Sequence, residues 1–152
     1  MSGPQPIQFE QFAQHFPEAI AALRALSQSA TQDMDKGLLE LVKVRASQLN
    51  GCAFCLQLHV NWARQAGIAQ GTLDQLAVWR EAPGFTAQER AALAWAEALI
   101  DLTRHGGLDA LREATRSAFG EHRFWRLTLA VAAVNAWNRI AGPLGFTPPP
   151  AQ

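Results

Sequence analysis

Residues 40–59 read ELVKVRASQLNGCAFCLQLH, and this stretch decides how the chain folds. Apolar residues from Leu38 to Leu49 recur at helical spacing, and Asn50-Gly51 ends that helix. A second helix runs from about Cys52 to Ala66, with Gly67 suited to the position just past its end. Two helices joined by about two residues pack antiparallel, as a helical hairpin. Cys52, Cys55 and His59 follow one another at offsets of three and four, so they stack on one face of the second helix. At the start of that helix, free N–H groups and the partial positive charge of the helix end favour a thiolate. The CxxC spacing lets one sulfur reach the other with little backbone movement.

Glu40 joins this constellation from the first helix of the hairpin. Glu40 precedes the turn by about ten residues and His59 follows it by about eight, so at about 1.5 Å per residue both lie roughly 12–15 Å from the hairpin tip. The two are expected to face each other. Leu38, Leu39, Leu41 and Val42 surround Glu40, an unusual setting for an idle carboxylate. A carboxylate beside an imidazole fixes its tautomer and strengthens it as a base, and the imidazole can then take a proton from a cysteine one turn away. This is the nucleophile, base and orienting group of covalent catalysis.

The rest of the chain supplies an all-helical setting. Pro17 opens a helix with Ile20, Leu23 and Leu26 at helical spacing, and the polar stretch Ser27 to Asp33 reads as a connection. A short helix is expected near Thr72 to Trp79, followed by a turn at Glu81-Ala82-Pro83-Gly84. Thr86 and Glu89 form a capping box ahead of Leu93, Trp95, Ala96, Leu99 and Ile100, with Gly106-Gly107 as the expected end. Leu108 to Phe119 forms another helix, closed by Gly120. The last, from about His122 to Ile140, is apolar on nearly every side, which predicts burial within the subunit core or against another subunit. No segment alternates at period two, so no sheet is expected. The chain is predicted to form one domain over 1–152, a single-domain helical bundle with an N-terminal extension at 1–16 and a fraying Pro-rich tail at 143–152.

Composition narrows the function. The 152 residues carry 13 Lys and Arg against 13 Asp and Glu, with no basic cluster, which excludes a phosphate-neutralising role on nucleic acid. Apolar residues make up 49% and charged residues only 17%, a surface short of charge that predicts a homo-oligomer. The N-terminal MSGPQPIQFEQF lacks the pattern of a signal peptide, and the apolar run Leu127 to Val134 is far too short to span a membrane. The expected location is the cytoplasm, where a close cysteine pair points to redox or metal chemistry rather than structural bracing. Two cysteines also fall short of a disulfide framework.

Other readings of these residues compete. Cys52 and Cys55 would pack as small hydrophobes in a plain core. Zinc would take Cys52, Cys55, His59 and Glu40, but a second CxxC is absent, and neither a metal nor a cofactor is expected. A c-type haem needs a histidine where Leu56 stands, and a thioredoxin fold needs strands. His15, His105 and His122 read as surface or cap residues, and the five tryptophans as core and interface aromatics. Trp62, three residues after His59, is a candidate wall of a substrate pocket. Arg139 has Glu89 or Glu97 as candidate partners.

The pattern Glu-x11-Cys-x2-Cys-x3-His resembles the AhpD-like alkylhydroperoxidases of the carboxymuconolactone decarboxylase superfamily. Arg64 to Gly67, the segment TAQERAALAWAEAL from Thr86 and NAWNRIA from Asn135 to Ala141 are similar as well, so the resemblance covers about residues 35 to 145. It implies an all-α subunit in a homo-oligomer, a trimer or a hexamer. It assigns the nucleophile to Cys55, the resolving cysteine to Cys52, and the proton relay to His59 and Glu40. The implied reaction is thiol-dependent reduction of a hydroperoxide: Cys55 becomes a sulfenic acid, Cys52 condenses with it to a disulfide, and an external dithiol, in the prototype a lipoyl group on a partner protein, restores the thiols. A general dithiol–disulfide oxidoreductase and a non-catalytic oligomeric redox sensor fit the same motif. The helix-end argument makes Cys52 the more acidic thiol, whereas the relay and the resemblance favour Cys55 as nucleophile. Phe54 stands where the prototype has a histidine.

Overall fold

A computed structural model of the chain describes residues 3, 5–104 and 106–152; His105 lies outside them. The described residues contain helices and no strand. In chain order these are α1 (Phe9–His15), α2 (Pro17–Ser29), α3 (Lys36–Asn50), α4 (Ala53–Gln65), α5 (Gln70–Gln75) with a 3₁₀ turn at Leu76–Val78, α6 (Ala87–Ile100), α7 (Asp109–Phe119) and α8 (Glu121–Ala141).

The hairpin expected from residues 40–59 is α3 and α4. Asp35 caps α3 by accepting from the Leu38 N–H at 2.8 Å. Gly51 ends it in the left-handed region (φ 66°), where a side chain would be strained. Cys52 then becomes the cap of α4. Helix α3 lies at the centre of the molecule and packs against α4, α6 and α8. Its two sides serve two cores. Leu38 and Val42 meet Trp95, Phe124, Leu127 and Val131. Leu41 and Val44 meet Leu73, Leu76, Trp79, Phe85 and Leu93. The charges of α3 that lie in buried surroundings are paired: Glu40 with Lys43, and Arg45 with Glu97 of α6, which also holds Arg80 and accepts from the Trp79 indole.

Several boundaries differ from the sequence expectations. α2 continues through Ser29, because the Ser27 and Ser29 hydroxyls bond back to the carbonyls of Leu23 and Leu26 instead of breaking the helix. α6 stops at Ile100, short of Gly106-Gly107. Asp101 leaves the helix and forms its own turn, accepting from the Thr103 hydroxyl at 2.8 Å and pairing with Arg104 at 3.2 Å. The capping box Thr86–Glu89 forms as expected. Glu89 is thereby committed, Glu97 is taken by the two arginines above, and Arg139 is exposed instead of paired with either.

The termini depart furthest from expectation. The Pro-rich tail does not fray: Asn61 of α4 donates to the Pro150 carbonyl at 2.9 Å and accepts from the Gln152 N–H at 3.1 Å. Phe146 is buried. The N-terminal extension contains α1, and Gln8 donates to the Thr147 hydroxyl at 2.9 Å, so the two ends of the chain are fastened together. No helix among the described residues is long and apolar enough to cross a membrane.

Candidate active site

Cys52 and Cys55 sit where α3, α4, α8 and both chain ends converge. Cys52 is 1% exposed and Cys55 3%, both as free thiols. As the cap of α4, Cys52 accepts the Cys55 N–H through its sulfur at 3.2 Å. Donation from the neighbouring Cys55 thiol to the Cys52 sulfur is the largest influence on the acidity of both groups. That bond, helped by the backbone N–H groups of the helix start and opposed by burial, brings the Cys52 thiol down to about 7. The same bond, together with burial, pushes Cys55 above the usual thiol range. Cys52 is therefore the more acidic sulfur, as the helix-end argument expects.

Glu40 and His59 meet as the hairpin register predicts. Glu40 Oε2 lies 2.8 Å from His59 Nδ1, and Lys43 Nζ lies 3.1 Å from Glu40 Oε1. Burial by itself would push the Glu40 carboxyl up, but the His59 hydrogen bond and the charges of His59 and Lys43 outweigh it and hold the carboxyl below the usual range. Glu40 is thus an ionised carboxylate that can only accept, so His59 Nδ1 supplies the hydrogen of the bond between them. Nε2 is left for other partners.

Cys55 and His59 border one cavity of about 410 Å³. Phe9, Phe54, Leu58, Trp62, Val134 and Trp137 make most of its wall, and Lys43, Arg24 and Glu10 supply its charged rim. Trp62 sets its ring edge-on to His59 at 5.3 Å between centroids, which places it at the pocket as expected. Cys52 does not line the cavity; it lies behind Cys55 among Ala141, Phe146 and the aromatic rings of Phe9, Phe12 and Phe54. No grouping of three or more His, Cys, Asp or Glu suited to a metal occurs among the described residues.

Sequence reasoning missed the aromatic cover of the pair. Phe9 stacks on Phe54 at 5.9 Å, and Phe146 meets Phe54 edge-on at 5.5 Å and Phe12 at 5.6 Å. Three phenylalanines at positions 9, 12 and 16, in a segment read as an extension, were the available signal. Asn138 was also missed as a buried polar link between α8 and the end of α3. It is 2% exposed, and it hydrogen-bonds Asn50 and Ser47 at 3.0 and 3.1 Å. Gly142, one turn on, lets α8 end against the pair: a Cβ there would lie 2.9 Å from the Asn138 carbonyl oxygen and 3.6 Å from Cys52 Cβ.

An all-helical chain with a CxxC cap and a buried Glu–His pair defines a class, and comparison with known proteins agrees. The model of the carboxymuconolactone decarboxylase family matches residues 14–98, which include the whole hairpin. The chain belongs to this family, and its fold is AhpD-like. It is similar to the uncharacterized protein YdfG of Bacillus subtilis, 30% identical over 130 residues that cover 85% of this chain and 88% of YdfG. A solved structure from Agrobacterium tumefaciens, of a protein of unknown function provisionally described as the antioxidant defence protein AhpD, matches with a TM-score of 0.86 at 36% identity, over 91% of this chain and 96% of that one. An uncharacterized peroxidase-related protein from Ralstonia eutropha, described as an alkylhydroperoxidase AhpD core, shares the fold at a TM-score of 0.79 and 24% identity, over 91% of this chain and 74% of that one.

Proposed function

We propose that the protein is a thiol-dependent peroxidase that reduces hydroperoxides with the Cys52–Cys55 pair and is recycled by an external dithiol. The family and its structural neighbours point to an antioxidant or alkylhydroperoxidase-like role. The observation that carries the reading is the apolar cavity on which Cys55 and His59 open together, with Glu40 bonded behind the imidazole at 2.8 Å. An apolar wall suits the organic body of an alkyl hydroperoxide.

In this reading His59, oriented by Glu40, takes one proton from the dithiol. The remaining proton moves between the sulfurs, and Cys55, the sulfur at the cavity, attacks as thiolate. Its electron pair forms the S–O bond, the O–O bond breaks, and the departing alkoxide receives the proton from His59. Products are an alcohol and the Cys55 sulfenic acid. Cys52 then displaces hydroxide, which leaves as water with the Cys52 proton, and the disulfide closes. A dithiol, of which a lipoyl group on a partner protein is the candidate, reduces it by exchange. Assembly as a homo-oligomer belongs to the same reading and is supported by Trp125, Leu129 and Ala132, which form an exposed apolar stripe along α8.

The test is consumption of an organic hydroperoxide with a small dithiol such as dihydrolipoamide. The wild type is expected to turn over and Cys55→Ser to be inactive. Turnover unchanged in Cys55→Ser, or a wild type that consumes no peroxide, would refute the peroxidase. Dithiol exchange without peroxide consumption would make it a general dithiol–disulfide oxidoreductase instead.

A further inference from the structure

The cavity that Cys55 and His59 share is apolar except at its rim, and the three charged residues there are not alike. Lys43 is already held by Glu40 at 3.1 Å. Glu10 stands in the first turn of α1, where a negative charge complements the free N–H groups of the helix start. Arg24 has no such counterpart. It forms no ion pair among the described residues, and its guanidinium stands 6.0 Å from the centre of the Phe9 ring. Its place on α2 sharpens the point. Ile20, Arg24 and Ser27 follow at offsets of four and three, so they lie along one face of the helix. Ile20 is buried, Ser27 is half-buried, and α2 packs against α8. Arg24 interrupts that packing face, and there it borders the cavity together with Ala130, Ala133 and Val134 of α8. A long charged side chain in such a place lays its stem on apolar surface and keeps its head in water, and Arg24 is exposed. From it a run of rings leads to the thiol: Phe9 stacks on Phe54 at 5.9 Å, and Phe54 is next in sequence to the buried Cys55. The cavity thus joins an unpaired cation at its rim to a buried thiol, with apolar wall between them.

We propose that Arg24 is the carboxylate-binding residue of this cavity, and that the occupant is an amphipathic organic acid whose apolar chain lies along the rings. As a substrate that acid is the hydroperoxide of a fatty acid; this specification rests on the peroxidase reading, and the carboxylate site does not. A guanidinium meets a carboxylate through two parallel N–H bonds, and it is more weakly hydrated than an ammonium, which suits a ligand that is itself largely apolar. The carboxylate fixes which end of the chain stays at the rim, and a peroxide carried further along the chain is brought to Cys55. Its reduction leaves the carboxylate untouched: the O–O bond breaks, the alkoxide takes the proton from His59, and the products are a hydroxy acid and the Cys55 sulfenic acid. A volume of about 410 Å³ lies in the range of cavities that enclose small organic ligands. Glu10, at the same rim, repels an anion and limits its affinity, so its removal is a second handle on the same site.

Two measurements test the site, one with turnover and one without. In the first, the wild type, Arg24→Gln, Arg24→Lys and Glu10→Gln are given linoleic acid hydroperoxide or its methyl ester. The dithiol is dihydrolipoamide, which carries no carboxylate. The wild type is expected to favour the acid over the ester in kcat/KM by about fivefold or more, the worth of one charge-assisted contact. Arg24→Gln should lose that preference, Arg24→Lys should keep part of it, since the charge remains without the fork, and Glu10→Gln should increase it. High salt should weaken it. Equal use of acid and ester by an active wild type, or a preference undiminished in Arg24→Gln, would overturn the proposal and leave the peroxidase standing. In the second, decanoate and decanol compete with alkylation of Cys55, followed by mass spectrometry. Decanoate is expected to protect Cys55 at lower concentration than decanol in the wild type, and to lose that advantage in Arg24→Gln. A protein that shows this difference but consumes no peroxide would refute the peroxidase, and the fatty-acid hydroperoxide with it, and keep the carboxylate site. Equal protection by the two compounds, or protection by neither, would overturn the site.

Discussion

Glu40 and His59, nineteen residues apart in sequence, form a buried carboxylate–imidazole pair 2.8 Å long across the α3–α4 hairpin. Glu40 is also within 3.1 Å of Lys43, so one carboxylate oxygen serves the cation and the other the imidazole. This division predicts a graded effect of substitution. Glu40→Gln keeps an acceptor for Nδ1–H but removes the charge, and is expected to lower peroxide turnover by about 10–100-fold. His59→Asn removes the relay and is expected to cost about 10²–10⁴-fold. Steady-state rates with saturating dithiol check both. Equal activity in all three proteins would remove the relay from the mechanism.

The unequal acidity of the two sulfurs gives a pH signature. With Cys52 lowered to about 7, one thiolate is expected to form with a midpoint near neutrality, and the second only far above it. In Cys55→Ala the Cys52 sulfur loses the thiol donor that lowers it, so its midpoint should rise toward the ordinary range of about 8.5. Absorbance at 240 nm follows both ionisations. A Cys55→Ala midpoint below that of the wild type would contradict donation from Cys55 to Cys52.

The aromatic cover ties stability to thiol access. Phe146 is buried against Phe9, Phe12 and Phe54, and Phe146→Ala should destabilise the protein by about 3–5 kcal/mol, the usual cost of such a truncation. It should also speed the reaction of the cysteines with a bulky aromatic disulfide more than with a small alkylating agent. Urea unfolding and paired reagent kinetics measure the two effects. A loss of stability with no change in reagent selectivity would mean that the cover does not control access.

Trp125 is 50% exposed and Leu129 41%, one turn apart on α8. A double substitution, Trp125→Glu with Leu129→Glu, is expected to reduce the solution mass to that of a smaller assembly. Light scattering coupled to gel filtration gives the answer directly. A wild type that elutes as a monomer would refute the homo-oligomer.

The parts that were legible from the sequence are those fixed by short-range geometry. Offsets of three and four put Cys52, Cys55 and His59 on one helix face, and a two-residue turn sets the level at which Glu40 meets His59. The parts that were not legible depend on partners far along the chain. Gln8 finds Thr147 across 139 residues, and Asn50 finds Asn138 across 88. No local period announces such pairs. The early end of α6 was missed for another reason: Asp101 can satisfy its own turn, and this local alternative wins before the glycines are reached. Arg139 had two plausible acids, but both were already taken by nearer partners.

Two indole rings, Trp62 and Trp137, share the wall of the cavity with Cys55. Indole fluorescence is quenched by nearby sulfur, and differently by a thiolate, a thiol and a disulfide. In the proposed reaction the unlabelled protein would therefore carry an optical gauge of the state of Cys55, read by two residues on the wall of one cavity. Single Trp62→Phe and Trp137→Phe proteins would separate the two signals and time the closing of the disulfide against the arrival of peroxide.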